Sequence, residues 1–504
     1  MKPRRTTLLN LEVLEARDMP AVYYVAPTGN NGNNGSSSTP WLTLQHAANV
    51  VQAGDTVIVR AGDYVGFHLT RDGTASQRIT FSAEPGVRVV TRNATTPDGI
   101  NLEGADYITI EGFTVINQPR TGIRSVLNNH VIIRNNVAHN NNTWGILTGY
   151  SDDLLIENNQ TSGSLVEHGI YVSNSSVRPT IRNNLIFNNN ANGIHLNGDA
   201  VIGGGNGLIM DALIENNVIY NNGVGGGSGI NGDGLVNSVI RNNLIYNTHA
   251  SGISLYRIDG GAPSTNNLVV NNTVLVASDG RWAMNISNGS TGNTLRNNIF
   301  YSAHSFRGSI TISADSLLGF TSDYNVTMNR FSINGGSTVI TQSAWQSNTG
   351  QDTHSFLSTP GALFLNVGIN DYRLSLTSVA KDSGILSFAP PSDIVGASRP
   401  SGAGVDIGAF EGYSKRKLKQ PANLGGGGSA MMLSSGDNQT SRNRLEFAST
   451  LNRQLQQARQ LQAKQGTLGK WSSAEIMTAL MKLKDDRRTS QQSVDALFAS
   501  VSES

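Results

Sequence analysis

Cysteine is absent from all 504 residues. That excludes a disulfide framework and any thiolate metal site. It leaves the compartment open, because many exported bacterial proteins lack disulfides. Lysine is almost as scarce: between Lys2 and Lys381 there is none. Arginine therefore supplies all the fixed positive charge of the body, and a lysine base is excluded there. Aromatics make up only 6 % of the chain, against 55 glycines. No run of 18 apolar residues occurs, so an ordinary transmembrane helix is excluded. Strong net charge is missing too, at +1, but its distribution is uneven. Residues 1–411 hold 23 Lys+Arg and 29 Asp+Glu, a net −6, and residues 412–504 hold 14 and 7, a net +7. An acidic body argues against nucleic-acid binding. The basic tail is expected to meet an anionic surface or a partner protein.

What the chain does have is a phrase that returns seven times: an apolar residue, a variable one, then a polar pair. It reads Ile133-Arg134-Asn135-Asn136, Ile156-Glu157-Asn158-Asn159, Ile181-Arg182-Asn183-Asn184, Ile214-Glu215-Asn216-Asn217, Ile240-Arg241-Asn242-Asn243, Val269-Val270-Asn271-Asn272 and Leu295-Arg296-Asn297-Asn298. Successive pairs lie 23, 25, 33, 26, 29 and 26 residues apart. A period of this length, built on short β-rich phrases, predicts one coil of a stacked β-solenoid. A second phrase keeps step: Gly122-Ile123, Gly145-Ile146, Gly169-Ile170, Gly193-Ile194, Gly229-Ile230 and Gly252-Ile253. Two phrases per coil predict two strands separated by a turn. Side chains alternate faces along each strand, so Ile170 inward sets Tyr171 and Ser173 outward.

The variable position adds a register signal. With Glu111 included it reads Glu111, Arg134, Glu157, Arg182, Glu215, Arg241, Val270, Arg296. Stacked strands lie about 4.8 Å apart. Each arginine is therefore expected between two carboxylates, and a coil slipped by one would oppose like charges. The Asn pairs are expected to form turn ladders, since Asn accepts the left-handed conformation and stacked amides hydrogen-bond along the stack.

The ends differ from the repeats. Val22-Tyr23-Tyr24-Val25 and Thr56-Val57-Ile58-Val59-Arg60 read as strands, and residues 42–51 as an amphipathic helix that caps the first coil. From residue 414 a basic and Gly-rich linker runs to 440, and residues 441–504 carry helical periodicity, with Ser472-Ser473-Ala474-Glu475 as a capping box. Residues 1–20 form a candidate targeting segment. Its Leu11, Glu12, Leu14, Glu15 and Arg17 resemble the Leu-Glu-x-Leu-Glu-x-Arg leader of many exported planctomycete-type proteins, which implies export to the cell surface or medium.

A family resemblance follows from particular residues. Thr43-Leu44-Gln45, Ala47, Ala53-Gly54-Asp55-Thr56-Val57, Val59, Gly62 and Tyr64 resemble the N-terminal signature of the pectate-lyase-like β-helix superfamily. The Asn-Asn and Gly-Ile coils resemble its repeats, and Val405-Asp406-Ile407-Gly408-Ala409-Phe410-Glu411 resembles the ending of exported bacterial members. The resemblance spans about residues 22–413. It implies an all-β, right-handed parallel β-helix over residues 21–413, with an N-terminal capping helix and a separate helical tail. It implies a polysaccharide as partner and leaves the activity open, because the superfamily holds lyases, hydrolases, epimerases and inactive surface proteins.

The outward column after each Gly-Ile phrase collects the candidate chemistry: Arg124, Leu147, Tyr171, His195, Asn231 and Ser254, then Ser173, Asn197, Asp233 and Tyr256. Trp144, Glu167, His168, Asp199, Arg257 and Asp259 lie close by in sequence. A polysaccharide lyase needs a base for the proton α to a uronic carboxylate and a cation for the developing charge. Without lysine, His195, Tyr171 or Arg257 is left as base, and His195, Asp233 and Arg257 are the catalytic candidates. Tyr171, Asn197, Asn231 and Tyr256 are the sugar-binding candidates. Asp199, Asp233 and Asp259 offer hard oxygen ligands to Ca²⁺. A glycosidase needs two facing carboxylates, and Asp233 has Asn197 and Tyr256 as column neighbours instead. A non-catalytic, glycan-binding surface protein is the other expectation.

Overall fold

In the computed structural model residues 20–412 are described, apart from Val201's neighbour at position 202. The expected leader before Pro20, the expected linker and the expected helical tail lie outside the described residues. Within them the chain coils into three parallel sheets of 12, 11 and 12 strands. One coil shows the order. Thr121–Val126 lies in the Gly-Ile sheet, Ile132–Arg134 in the Asn-pair sheet and Val137–His139 in a third sheet, before Trp144–Gly149 returns to the first. Two strands per coil were expected from two phrases. The third strand starts directly after the Asn pair and ends in a second Asn corner, at Asn140-Asn141, Asn188-Asn189 and Asn221-Asn222, which the counted phrase passed over.

The Asn pair is the corner between two of these sheets, and its members do different work. The first Asn of each pair, from Asn135 to Asn297, has φ between 53° and 57°, the left-handed turn that Asn tolerates. The second Asn is buried. Asn184 Nδ2 donates to Asn217 Oδ1 at 3.0 Å and to the Ile156 carbonyl at 2.9 Å, while its Oδ1 accepts from the Asn159 backbone N–H at 2.9 Å. The pattern repeats coil after coil from Asn136 to Asn298. The second amide of each corner thus has its partners where water cannot reach. Beside this ladder Ile133, Ile156, Ile181, Ile214 and Ile240 stack inward with no exposure. Each such side chain contributes about 1.5–3 kcal/mol of burial.

The charged file stands in register: Glu111, Arg134, Glu157, Arg182, Glu215, Arg241, Val270, Arg296. Its pairing is simpler than expected. Arg134, Arg182 and Arg241 each reach the glutamate of the preceding coil, at 2.6, 2.8 and 2.7 Å. The file is a row of discrete pairs rather than an arginine shared between two carboxylates.

Both ends of the stack are closed. Helix Leu44–Val50, capped by the Thr43 hydroxyl, buries Leu44, Ala47 and Ala48 on the core. At the other end helix Gln342–Thr349 buries Trp345, which stacks on Phe331 at 5.1 Å and donates to Asp352 at 2.9 Å. The chain then turns back. Residues 363–410 build a second small core with Leu244, Leu275, Ile299 and Val326. Arg399 and Glu411, both fully buried, pair at 2.6 Å, and Arg399 also donates to Asn242.

Candidate functional site

The Gly-Ile strands hold the expected outward column. Arg124, Leu147, Tyr171, His195, Asn231 and Ser254 are successive register partners. So are Ser173, Asn197, Asp233 and Tyr256. The parallel ladder places these residues one strand apart, about 4.8 Å. Tyr171 and His195 stack with ring centroids 5.1 Å apart and 17° between planes. Trp144 stacks on the other side of Tyr171 at 5.8 Å.

The turn before Gly169 adds two residues to this cluster. His168 is buried, and its ring meets His195 edge-on at 4.7 Å. Its Nδ1 accepts the backbone N–H of Asn192 at 3.3 Å, which leaves its proton on Nε2. That nitrogen lies 2.9 Å from His195 Nδ1 and 3.4 Å from Glu167 Oε2. The neutral pair therefore has one tautomer, with His168 donating to His195. Burial, and then His195 itself, hold His168 well below the ordinary imidazole range. Glu167 also accepts from the Trp144 indole at 2.9 Å. Position 168 carries no repeated marker, and only its closeness in sequence to Tyr171 hinted at a role.

Two amides fix the phenols. Asn197 Nδ2 donates to Tyr171 Oη at 3.0 Å, and Asn231 Nδ2 to Tyr256 Oη at 2.8 Å. Burial pushes both phenols up, so both stay protonated. The sugar-binding candidates are thus hydrogen-bonded to one another across coils.

The second outward column is less open than alternation implies. Asn197 and Asp233 are 3 % and 1 % exposed. The long insertion after Gly198 and the turn after Tyr256 fold over it, and a small parallel sheet of Ser176–Val177, Ile209–Met210 and Leu235–Val236 forms beside it. Asp233 Oδ1 accepts from the N–H of Ile258 and Gly260 at 2.9 and 3.0 Å, and Oδ2 from Ile258 and Asp259 at 3.0 and 2.9 Å. Burial still pushes its carboxyl up to about 6. Its geometry makes Asp233 the anchor of the 258–260 turn. Arg257, exposed, stands on that turn and donates from Nε to the Gly260 carbonyl at 3.1 Å.

The three acids offered to Ca²⁺ sit in different settings. Asp199 Oδ1 accepts from the Val201 N–H at 2.8 Å, a local turn. Asp233 meets N–H donors on both oxygens, a setting that suits a lone carboxylate better than one shared with a cation. Among the described residues no three acidic or imidazole side chains gather as a metal site.

With this geometry in place, comparison with known proteins is informative. A family model described as the Pel9A-like right-handed β-helix region matches residues 23–164. That match covers the first coils only, and the strand order over the described residues shows the fold, a right-handed parallel β-helix. The solved pectate lyase Pel9A superposes with a TM-score of 0.51 at 17 % identity, covering 78 % of this chain and 96 % of that one. XylC, solved with xylose, gives 0.51 at 13 % identity over 77 % and 98 %. Identities this low show a shared fold. Among curated proteins, the uncharacterized protein YwoF of Bacillus subtilis (strain 168) is 32 % identical over 102 residues. That stretch is 18 % of this chain and about a fifth (21 %) of the relative's length.

Proposed function

We propose that this protein is an exported β-helix that binds acidic polysaccharide along the outer face of the Gly-Ile sheet and cleaves it by β-elimination. One observation carries the reading: Trp144, Tyr171 and His195 form a stacked file whose histidine is bonded to a second, buried histidine. Stacked rings offer an apolar surface of the kind sugars rest on. The histidine pair places a proton-carrying imidazole, oriented by its hydrogen-bonded partner, beside the stacked rings. Likeness to a protein whose name says pectate lyase agrees with an acidic substrate.

In this scheme the uronic C5 proton leaves to a base, the electron pair forms the C4–C5 double bond, and the glycosidic oxygen departs from C4. His168 donates to His195 Nδ1, so the His195 proton sits on Nε2; His195 is the acid that protonates the departing glycosidic oxygen, and water takes the C5 proton. Arg257 offsets the carboxylate charge that builds up during proton removal. Tyr171, Asn197, Asn231 and Tyr256 position sugar. Asp233 holds the turn that carries Arg257. Asp199 and Asp259 are the carboxylates that would offer oxygen to a Ca²⁺ ion, and no step requires one.

A second reading keeps the glycan and drops the chemistry. The lack of lysine between Lys2 and Lys381 and the commitment of Asp233 to backbone amides favour it. Pectate, alginate and chondroitin, each incubated with the protein while ultraviolet absorbance reports unsaturated uronate, separate the two. Product that disappears in His195→Ala supports elimination. Saturable binding without product on any of the three would leave an adhesion protein.

A further inference from the structure

Three coils beyond His195 the same sheet changes character. Its strands Met284–Ile286, Ile310–Ile312 and Phe331–Ser332 are consecutive partners. Each is preceded by an arginine, at Arg281, Arg307 and Arg330. These side chains share one rim of the Gly-Ile sheet. The corresponding rim position near the start of the stack is Arg120, three residues before Ile123 as Arg281 is before Met284. The two settings differ in one respect. Arg120 is neutralised by buried Asp98 at 2.6 Å. Among the described residues, none of the three later arginines pairs with a carboxylate. The nearest acid in sequence, Asp279, is held by His249 at 2.9 Å.

Their other contacts are to neutral groups. Arg307 donates to the Gly280 carbonyl at 3.0 Å, and Arg330 to the carbonyls of Ser302 and Ser305. Arg281 reaches solvent, and Tyr256 lies within its electrostatic reach. The charges also act on each other. Arg281 is lowered by burial and then by Arg307, and His304 by burial and then by Arg307 and Arg330. A protein that places like charges side by side without a counter-ion leaves a positive field for an outside anion.

We propose that Arg281, Arg307 and Arg330 form an anion-reading rim that receives carboxylates of a polyuronate chain lying along the Gly-Ile sheet. The inference rests on the glycan-binding reading above and gives that groove a direction. Sugar stacks at the Trp144–Tyr171–His195 end, and charge is read about 14 Å further on, three strand spacings of about 4.8 Å. Guanidinium forks suit carboxylates in two-point contact, which a neutral or esterified sugar does not offer.

Titration calorimetry with a galacturonate oligomer and with its fully methyl-esterified counterpart tests this on the full chain. Arg281→Gln is the cleanest variant, because Arg307 and Arg330 also brace carbonyls. The expected result is about tenfold weaker binding of the acidic oligomer, the size of one charged hydrogen-bonded contact. The double variant with Arg307→Gln is expected to lose more, with binding of the ester unchanged and unfolding temperature close to wild type. Arg71→Gln, exposed and remote, serves as the control. Unchanged affinity in the double variant, or an equal loss for acid and ester, overturns the rim. If wild type eliminates uronate while the arginine variants bind as before, the rim falls and the lyase stands. If binding depends on these arginines and no product forms, the lyase falls and the rim stands.

Discussion

The Asn-pair sheet carries arginine–glutamate pairs in two environments. Along the open file Arg134, Arg182 and Arg241 are 40, 39 and 31 % exposed, and their pairs face water. Where the C-terminal segment returns over the coils, Arg399 and Glu411 form the same pair with no exposure at all. The file itself changes at that border. Val270 replaces a charge and is buried, while its neighbour Asn271 donates to the Asp406 and Gly408 carbonyls. Arg296 lies over Phe388 instead of beside an acid. The difference teaches that an ion pair's worth follows from what surrounds it. Burial pushes Arg399 down and Glu411 up, while each partner's charge, and the Ser401 and Asp406 N–H groups on Glu411, oppose those shifts. The pairs in solvent mainly fix register.

The largest break of this comparison is Arg399→Met. It strands the Glu411 carboxylate in the interior, and a loss of about 3–5 kcal/mol is expected in denaturant unfolding. A loss under about 1 kcal/mol would mean that the returning segment is not clamped by this pair. Next comes the corner. Asn217→Ala leaves the Asn184 N–H and the Ile181 carbonyl without their partners, for an expected cost of about 2–3 kcal/mol. Its neighbour Asn216→Gly keeps the positive φ at little cost. Equal effects from the two would contradict the division of labour within the pair.

The pH dependence sharpens the comparison from the other face. His168 is depressed in the folded chain relative to an ordinary 6.5. The unfolded chain binds a proton below about 6.5 that the folded chain refuses. Stability from this group is therefore complete above 6.5 and declines as pH falls, by up to about 1.4 kcal/mol per unit. His168→Gln should flatten that slope, as read from unfolding midpoints between pH 7 and 5. The smallest effect belongs to Arg182→Ala on the open file, about 0.2–1 kcal/mol and less in added salt.

Much of this was legible in the sequence, for a physical reason. A parallel stack repeats its geometry once per coil, so spacing alone aligns Tyr171 with His195 and Arg134 with Glu157. The corner Asn pairs and the capping helix near Leu44 follow from the same logic of turns and open edges. The third sheet was missed because its own closing pairs, Asn140-Asn141, Asn188-Asn189 and Asn221-Asn222, follow so soon after the first corner that they read as one Asn-rich stretch; its outward file, Phe187, Tyr220 and Tyr246, stacks at 4.9 Å. The His168–His195 contact was hidden because a turn residue swings beside a strand residue one coil away. The burial of Asp233 was hidden because strand alternation sets the direction of a side chain and says nothing about a loop that later covers it. The rim of Arg281, Arg307 and Arg330 lies where the phrases lose their regularity, so counting alone did not align it.

Amide hydrogen exchange, with and without a bound galacturonate oligomer, bears most directly on the glycan-binding face. The prediction is protection concentrated in Ile170–Asn174, Ile194–Gly198 and Ser251–Tyr256 and in the segments around Arg281 and Arg307. Protection confined to the opposite charged file, from Glu111 to Arg241, would contradict it.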